Sequence, residues 1–210
     1  PLHRRQRAGA PGQQQHSTQP RAPGGTAATD RPGRGSDRQA HGVAPVRASA
    51  IGDDSHVMLD GHDVVAYFTE NRHAKGQPQF KSQFQGVTFH FASAAHKALF
   101  DAAPQKYLPQ YGGFCANGIM YGIPWGGDAD TWRIIDGKLY IFGGAGSRDA
   151  FELDVPGNIR LADRYWADEV AGSNSFWQRS KRLVLRVPHY KSGAELARLV
   201  AEAKAKTPVK

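Results

Sequence analysis

From Val57 onward the chain alternates between two hydrophobic rhythms. Phe80 and Phe84 alternate with polar residues, as do Val87, Phe89 and Phe91, and Gln85-Gly86 separates the two runs. A period of two on both sides of a glycine turn predicts a β-hairpin with its phenylalanines on the core face, which sends Thr88 and His90 to the opposite face. Thr131-Trp-Arg-Ile-Ile135 and Lys138-Leu-Tyr-Ile-Phe142 flank Asp136-Gly137, a near-ideal two-residue hairpin turn and the strongest local signal in the sequence. Val64-Val-Ala-Tyr-Phe68 follows the turn-prone Asp60-Gly-His-Asp63 and reads as a short buried strand.

Helical spacing accounts for most of the remainder. Ser93 is the expected N-cap of a helix reaching about Asp101 that buries Leu99 and Phe100. Pro104 ends that helix and opens a short second one toward Tyr107. Residues 109–130, rich in glycine and aromatics without a clear period, read as a long structured loop. Ile159, Ala162, Trp166 and Val170 recur at helical spacing, and Ser192-Gly-Ala-Glu195 is a capping box for an amphipathic helix carrying Leu196, Leu199, Val200 and Ala203. Between them, Lys181-Arg-Leu-Val-Leu-Arg-Val-Pro-His-Tyr-Lys191 alternates basic and apolar residues and reads as an edge strand. Strand and helix are expected to pack back onto the domain, in preference to a partner or an anionic membrane surface. No internal repeat is evident. The expected class is α+β: one small domain of hairpins and short helices over residues 55–170, then a C-terminal extension over 171–210.

Composition adds a third region. Residues 1–50 hold eight arginines against Asp30 and Asp37, a net of +6 out of +8 for the whole chain, with no aromatic residue. Such a stretch cannot bury enough apolar area to offset the entropy of ordering it, so it reads as a disordered tail. Its arginines are scattered among Gly, Pro, Gln and Ala without interleaved aromatics, a pattern that argues against nucleic acid as a partner. No secretory signal and no transmembrane span is visible in the sequence.

Five segments occur in a telling order: Asp60-Gly-His-Asp-Val-Val-Ala-Tyr-Phe68, Phe89-His-Phe-Ala-Ser93, Pro104-x-x-Tyr107, Pro109-Gln-Tyr-Gly-Gly-Phe-Cys-Ala116 and Asp136-Gly-Lys-Leu-Tyr140. Together they resemble the YHS-domain family of small bacterial proteins, over about Val57 to Val170. The resemblance implies a small α+β module related to zinc-ribbon-like or treble-clef-like metal binders, and a periplasmic or otherwise exported protein. Where metal-binding relatives commonly place Cys-Ser-x-x-Cys at the strand-to-helix junction, this chain has Ala92-Ser-Ala-Ala-His96. His62 stands where the family leads one to expect tyrosine.

The candidate chemistry centres on Cys115, the one cysteine. A lone thiol forms no intramolecular disulfide and no multi-thiolate cage, which leaves a mixed His/Cys site, a functional thiol or a buried residue. Zinc or copper held by Cys115 and His96, with His90 or His62 as third ligand, is the leading expectation, and the partner would then be a metal ion or a metal-trafficking protein. No catalysis is expected on that reading. A redox enzyme or sensor using the Cys115 thiol alone is the first alternative, and a protein-interaction module without metal the second. Asp60, His62 and Asp63 read as a plain turn, although a carboxylate–histidine pair is open to them.

Overall fold

The computed structural model describes residues 56–206; the expected disordered tail lies outside them. The described residues belong to one compact unit. That unit is α+β, with two antiparallel two-stranded sheets, β1 (Gln77–Phe84) with β2 (Val87–Phe91) and β3 (Asp128–Ile135) with β4 (Lys138–Phe142). The helices are α1 (Ala66–Thr69), α2 (Ala94–Ala102), α3 (Pro104–Tyr107), α4 (Ala116–Ile119), α5 (Ala145–Phe151), α6 (Val155–Tyr165), α7 (Ser175–Val184) and α8 (Gly193–Lys206).

The two hairpins are copies of one plan. Each pairing of the second is the first moved by 51 positions, so that Gln77–Phe91, Lys81–His90 and Phe84–Val87 become Asp128–Phe142, Trp132–Ile141 and Ile135–Lys138. The register slips at the same place in both, between Gln77 and Lys81 and between Asp128 and Trp132. Both turns have two left-handed residues, Gln85-Gly86 and Asp136-Gly137, as a tight hairpin matched to strand twist requires. A helix follows each second strand, and Phe100 of α2 and Phe151 of α5 bury at equivalent points.

The likeness extends upstream of the strands. A 3-10 turn at Met58–Gly61 has Leu59, Asp60 and Gly61 at positive φ, and the turn at Gln110–Gly113 has Tyr111, Gly112 and Gly113 likewise. Leu59 O accepts from His62 N at 3.0 Å, and Tyr111 O accepts from Phe114 N at 3.1 Å. The next residue then ties the turn to the lead-in of its hairpin, Asp63 N to Ala74 O at 2.8 Å and Cys115 N to Trp125 O at 2.9 Å. Two of the parallel bridges correspond as well, Val57 with Thr88 and Pro109 with Leu139. The chain therefore does contain an internal repeat. It escapes a reading of the sequence because few side chains recur at matching positions, chiefly Gly61/Gly113, Gly76/Gly127, Gly86/Gly137, Phe91/Phe142 and Phe100/Phe151.

Each copy builds its own core, the first around Val64, Val65, Phe89, Phe91 and Phe100, the second around Ile119, Phe142, Phe151, Ala162 and Trp166. Tyr67 joins them: its ring packs with Leu139 and Ile141 of β4, and its hydroxyl donates to Ala129 O at 2.7 Å.

Most predicted elements are present, with four corrections. Val64–Phe68 is not a strand; it leads into α1, and its burial is real because a short apolar run suits a buried helix as well as a strand. Residues 109–130 contain α4 and the start of β3. Leu99 is exposed while Phe100 is buried. Residues 181–184 continue α7 rather than forming an edge strand. The capping box at Ser192 is reciprocal: Glu195 Oε2 accepts from Ser192 N at 2.7 Å and Ser192 Oγ accepts from Glu195 N at 3.3 Å. Helix α8 packs against α5, with Lys204 reaching Asp149 at 2.6 Å.

Glycine is required where the repeated turn meets the strand. A Cβ at Gly76 would stand 2.5 Å from the carbonyl carbon of His90, and one at Gly127 would stand 2.5 Å from Gly113 O, whereas a Cβ at Gly126 meets nothing. Gly76→Ala and Gly127→Ala are each expected to cost about 2–4 kcal/mol in urea unfolding, and Gly126→Ala less than about 0.5 kcal/mol.

Candidate functional site

The four residues singled out from the sequence have different surroundings. His96 begins the first turn of α2, where its backbone N donates to the cap Ser93 Oγ at 3.1 Å. Its ring Nδ1 lies 2.6 Å from Asp63 Oδ2, and its Nε2 lies 3.3 Å from Glu70 Oε1 and 3.4 Å from Thr69 Oγ1. Asp63 is fully buried; its Oδ1 accepts from Val65 N at 2.8 Å and its Oδ2 from Ala92 N at 2.7 Å as well as facing the imidazole. One carboxylate thus collects three polar partners and ties the first turn to the β2–α2 junction, which is how a buried charge is made tolerable. The sequence contained this pair only as a crowded turn. Asp63 pairs not with its neighbour His62 but with His96, 33 residues away, and Thr69 and Glu70 went unnoticed.

Cys115 holds the position equivalent to Asp63. It is 1 % exposed, sits before the first turn of α4, and bridges Ile141 of β4. Its sulfur lies beside Gly143, 3.6 Å from where a Cβ there would stand, and its other neighbours are the apolar residues of the second core. His62 Nδ1 is 2.8 Å from Leu59 O, and its ring is 6.1 Å from that of His73. His90 does not project into solvent as the hairpin pattern implied. Its ring lies over Gly61, and its buried Nε2 has no hydrogen-bond partner among the described residues. Thr88, the other residue expected on that face, is 1 % exposed, and its backbone pairs with Val57 along the free edge of β2.

This donor set does not fit a zinc or copper ion. A ligating imidazole needs a ring nitrogen free of other partners, and both nitrogens of His96 are engaged. The sulfur of Cys115 and the ring of His96 are held in different copies of the repeat. Among the described residues no group of three or more His, Cys, Asp or Glu side chains is arranged to hold a metal. The thiol alternative needs an accessible, electropositive setting, and the apolar enclosure of Cys115 supplies neither. The Asp63–His96 pair has the form of an oriented base, but the nearest hydroxyl, on Thr69, already donates to Val65 O at 3.1 Å. The pair reads as a structural tie.

Two features of the surface remain. A cleft of about 380 Å3 opens between the two left-handed turns, lined by Met58, Leu59, Asp60, Gly113, Phe114 and Trp166. The other lies in the C-terminal extension. Helix α7 meets the domain with polar groups: Gln178 donates to Gly122 O at 2.9 Å and Glu169 Oε2 at 3.1 Å, and Arg182 grips both oxygens of Glu169. Lys181 adds a third donor to the same carboxylate at 3.0 Å. Partial burial alone would push the Glu169 carboxyl up, but bonds from Gln178, Lys181 and Arg182 more than offset it and hold it below the ordinary value of 4.5. With the folded value depressed, the stabilisation is complete above the ordinary value and is lost as the pH falls through the lowered one. The opposite side of α7 is apolar and open to solvent: Phe176 is 66 %, Trp177 69 % and Val184 81 % exposed.

Comparison with protein-family models, with curated proteins and with solved structures finds no match for this chain. No helix among the described residues is long and apolar enough to cross a membrane.

The placement of Cys115 leads to a direct test. A thiol reagent such as DTNB is expected to label it no faster than the protein unfolds, and a strong chelator to leave the melting temperature unchanged. Rapid labelling would restore the thiol reading. Stoichiometric zinc or copper, lost in both Cys115→Ala and His96→Ala, would restore the metal reading.

Proposed function

We propose that this chain is a YHS-like, non-catalytic module that works by docking, with the outer face of α7 as its contact surface. The observation that carries this reading is the inversion of α7. An ordinary surface helix turns its apolar stripe to the core and its charges to water. Here Gln178 is buried and Arg182 is anchored on the domain, while Phe176, Trp177, Leu183 and Val184 face out. At about 100° per residue those four fall within an arc of about 120°. Leu185, the C-cap, is exposed as well, and among the described residues the only other exposed large apolar side chains are Leu99 and Leu153. Ser180 lies at the middle of that arc, between the aromatic pair and Leu183–Val184; large apolar side chains exposed together on one helix face mark an interaction surface, since covering each gains about 2 kcal/mol.

This reading belongs to the interaction class left open by the sequence. The placement of Cys115 and His96 lends no support to metal handling, and the enclosure of the thiol none to redox chemistry.

The test is the double substitution Phe176→Ser and Trp177→Ser. Neither side chain supports the core, so the variant should unfold within about 1 kcal/mol of the parent, where loss of two core aromatics would cost about 6 kcal/mol or more. A photo-cross-linking residue at position 177 should trap a discrete adduct in cells, and one at exposed Glu202 should not. A large loss of stability, or no adduct at 177 with either a protein or a lipid, would contradict a docking role.

A further inference from the structure

We propose that the occupant of the α7 face is the surface of an anionic lipid bilayer, on which the helix lies flat with its apolar side buried among the headgroups and upper acyl chains. This rests on the docking reading above and names its partner.

The argument is one of charge around an apolar stripe. Between Val170 and Ala194 the chain has five cations, Arg179, Lys181, Arg182, Arg186 and Lys191, and no aspartate or glutamate. Lys181 and Arg182 share the single carboxylate of Glu169, which comes from outside that stretch. On the helix, Arg179 stands at one edge of the apolar arc, about 40° beyond Leu183, while Lys181, about 40° beyond Trp177 at the other edge, is turned to Glu169. A long basic side chain in the position of Arg179 extends away from the stripe toward charged headgroups while its methylene stem stays on apolar ground. The stripe itself has the composition such a surface selects, with Phe176 and Trp177 at one end, their rings 5.3 Å apart, and Leu183 and Val184 at the other.

The same edges disfavour a second copy of this chain. A symmetric pairing of α7 on itself would bring two basic rims together with no acidic residue in the stretch to answer them. The domain also presents the helix as a flat surface requires. Its polar side is fixed to Gly122 and Glu169, and just beyond it Val187 returns to the second core and His189 Nε2 binds Met120 O at 2.7 Å, so the stripe is left pointing outward.

The experiment is co-sedimentation of the full chain with vesicles of phosphatidylcholine alone or with about one third phosphatidylglycerol, together with tryptophan fluorescence. Binding should need the anionic lipid, blue-shift the emission as Trp177 leaves water, and weaken as salt shortens the screening length. Phe176→Ser/Trp177→Ser should lower the bound fraction about tenfold, and Arg179→Glu/Arg186→Glu several-fold, without changing the melting temperature. The serine variant keeps every arginine of residues 1–50, so vesicle binding that survives in it would overturn the proposal by assigning the affinity to those charges. Absence of binding to anionic vesicles at about 0.1 M salt would also overturn it. If position 177 then cross-linked to a protein, docking would stand and the lipid surface would not. Failure of both would remove the docking reading as well.

Discussion

A single backbone hydrogen bond, made twice, sets the frame of this molecule. Asp63 N to Ala74 O and Cys115 N to Trp125 O each fasten a left-handed turn across the start of its hairpin. Once that bond is made, the side chain that bears it must point inward, beneath the second strand of the hairpin. The two copies then fill one position with different chemistry. In the first it is a carboxylate, which must find donors and takes Val65 N, Ala92 N and the His96 ring. In the second it is a thiol, which needs none and is left among Ile119, Phe142 and Phe151. Cys115 and Asp63 are two solutions to the same packing problem, and the burial of the sulfur follows from the fold. The Gly76 and Gly127 contacts belong to the same constraint, because only a residue without Cβ lets the lead-in pass that close to the turn or strand beside it.

The hairpins, the capped helix after Ser93, the proline-started helix after it and the capping box at Ser192 were all legible, because each is encoded within a few neighbouring residues. What the sequence hid depends on long-range placement. The run Val64–Tyr67 is buried as its composition implied, but its conformation is set by the turn before it, and period alone does not separate a short strand from a short helix. The duplication was invisible for the reason the Asp63–Cys115 equivalence makes plain: the backbone recurs while the side chains at matching positions diverge. The surroundings of the candidate site residues depend on long-range placement in the same way. Four residues with ligand chemistry close in sequence suggested convergence, yet His96 turns to Asp63, Cys115 to the second core, His62 to Leu59 and His90 to Gly61.

The extension after Val170 stands under the opposite constraint. The two copies bury their apolar residues in their own cores, and what they offer to α7 is Gly122 O, Glu169 and the ring face of Tyr165, whose centroid lies 5.4 Å from the Arg182 guanidinium carbon. A helix that reaches the domain through Gln178 and Arg182 has its apolar residues on the far side by geometry alone. The expectation of a basic and apolar edge strand packed inward is thereby reversed: the alternation of charge and hydrocarbon in residues 181–184 belongs to a helix that is polar where it touches the protein. Helix α8 behaves in the ordinary way, with Leu196 and Val200 half-buried and Lys204 on Asp149.

The central claim is that α7 is held to the domain through polar contacts centred on Glu169, with the Arg182 guanidinium also lying over the Tyr165 ring. Hydrogen exchange of the α7 amides in Glu169→Gln measures this most directly. If the claim is right, protection across residues 178–184 falls about tenfold or more, as loss of a charge-assisted network of about 1.5–3 kcal/mol requires, while β2 and β4 exchange as before. Unchanged protection in α7, or a loss spread evenly through both hairpins, would contradict it.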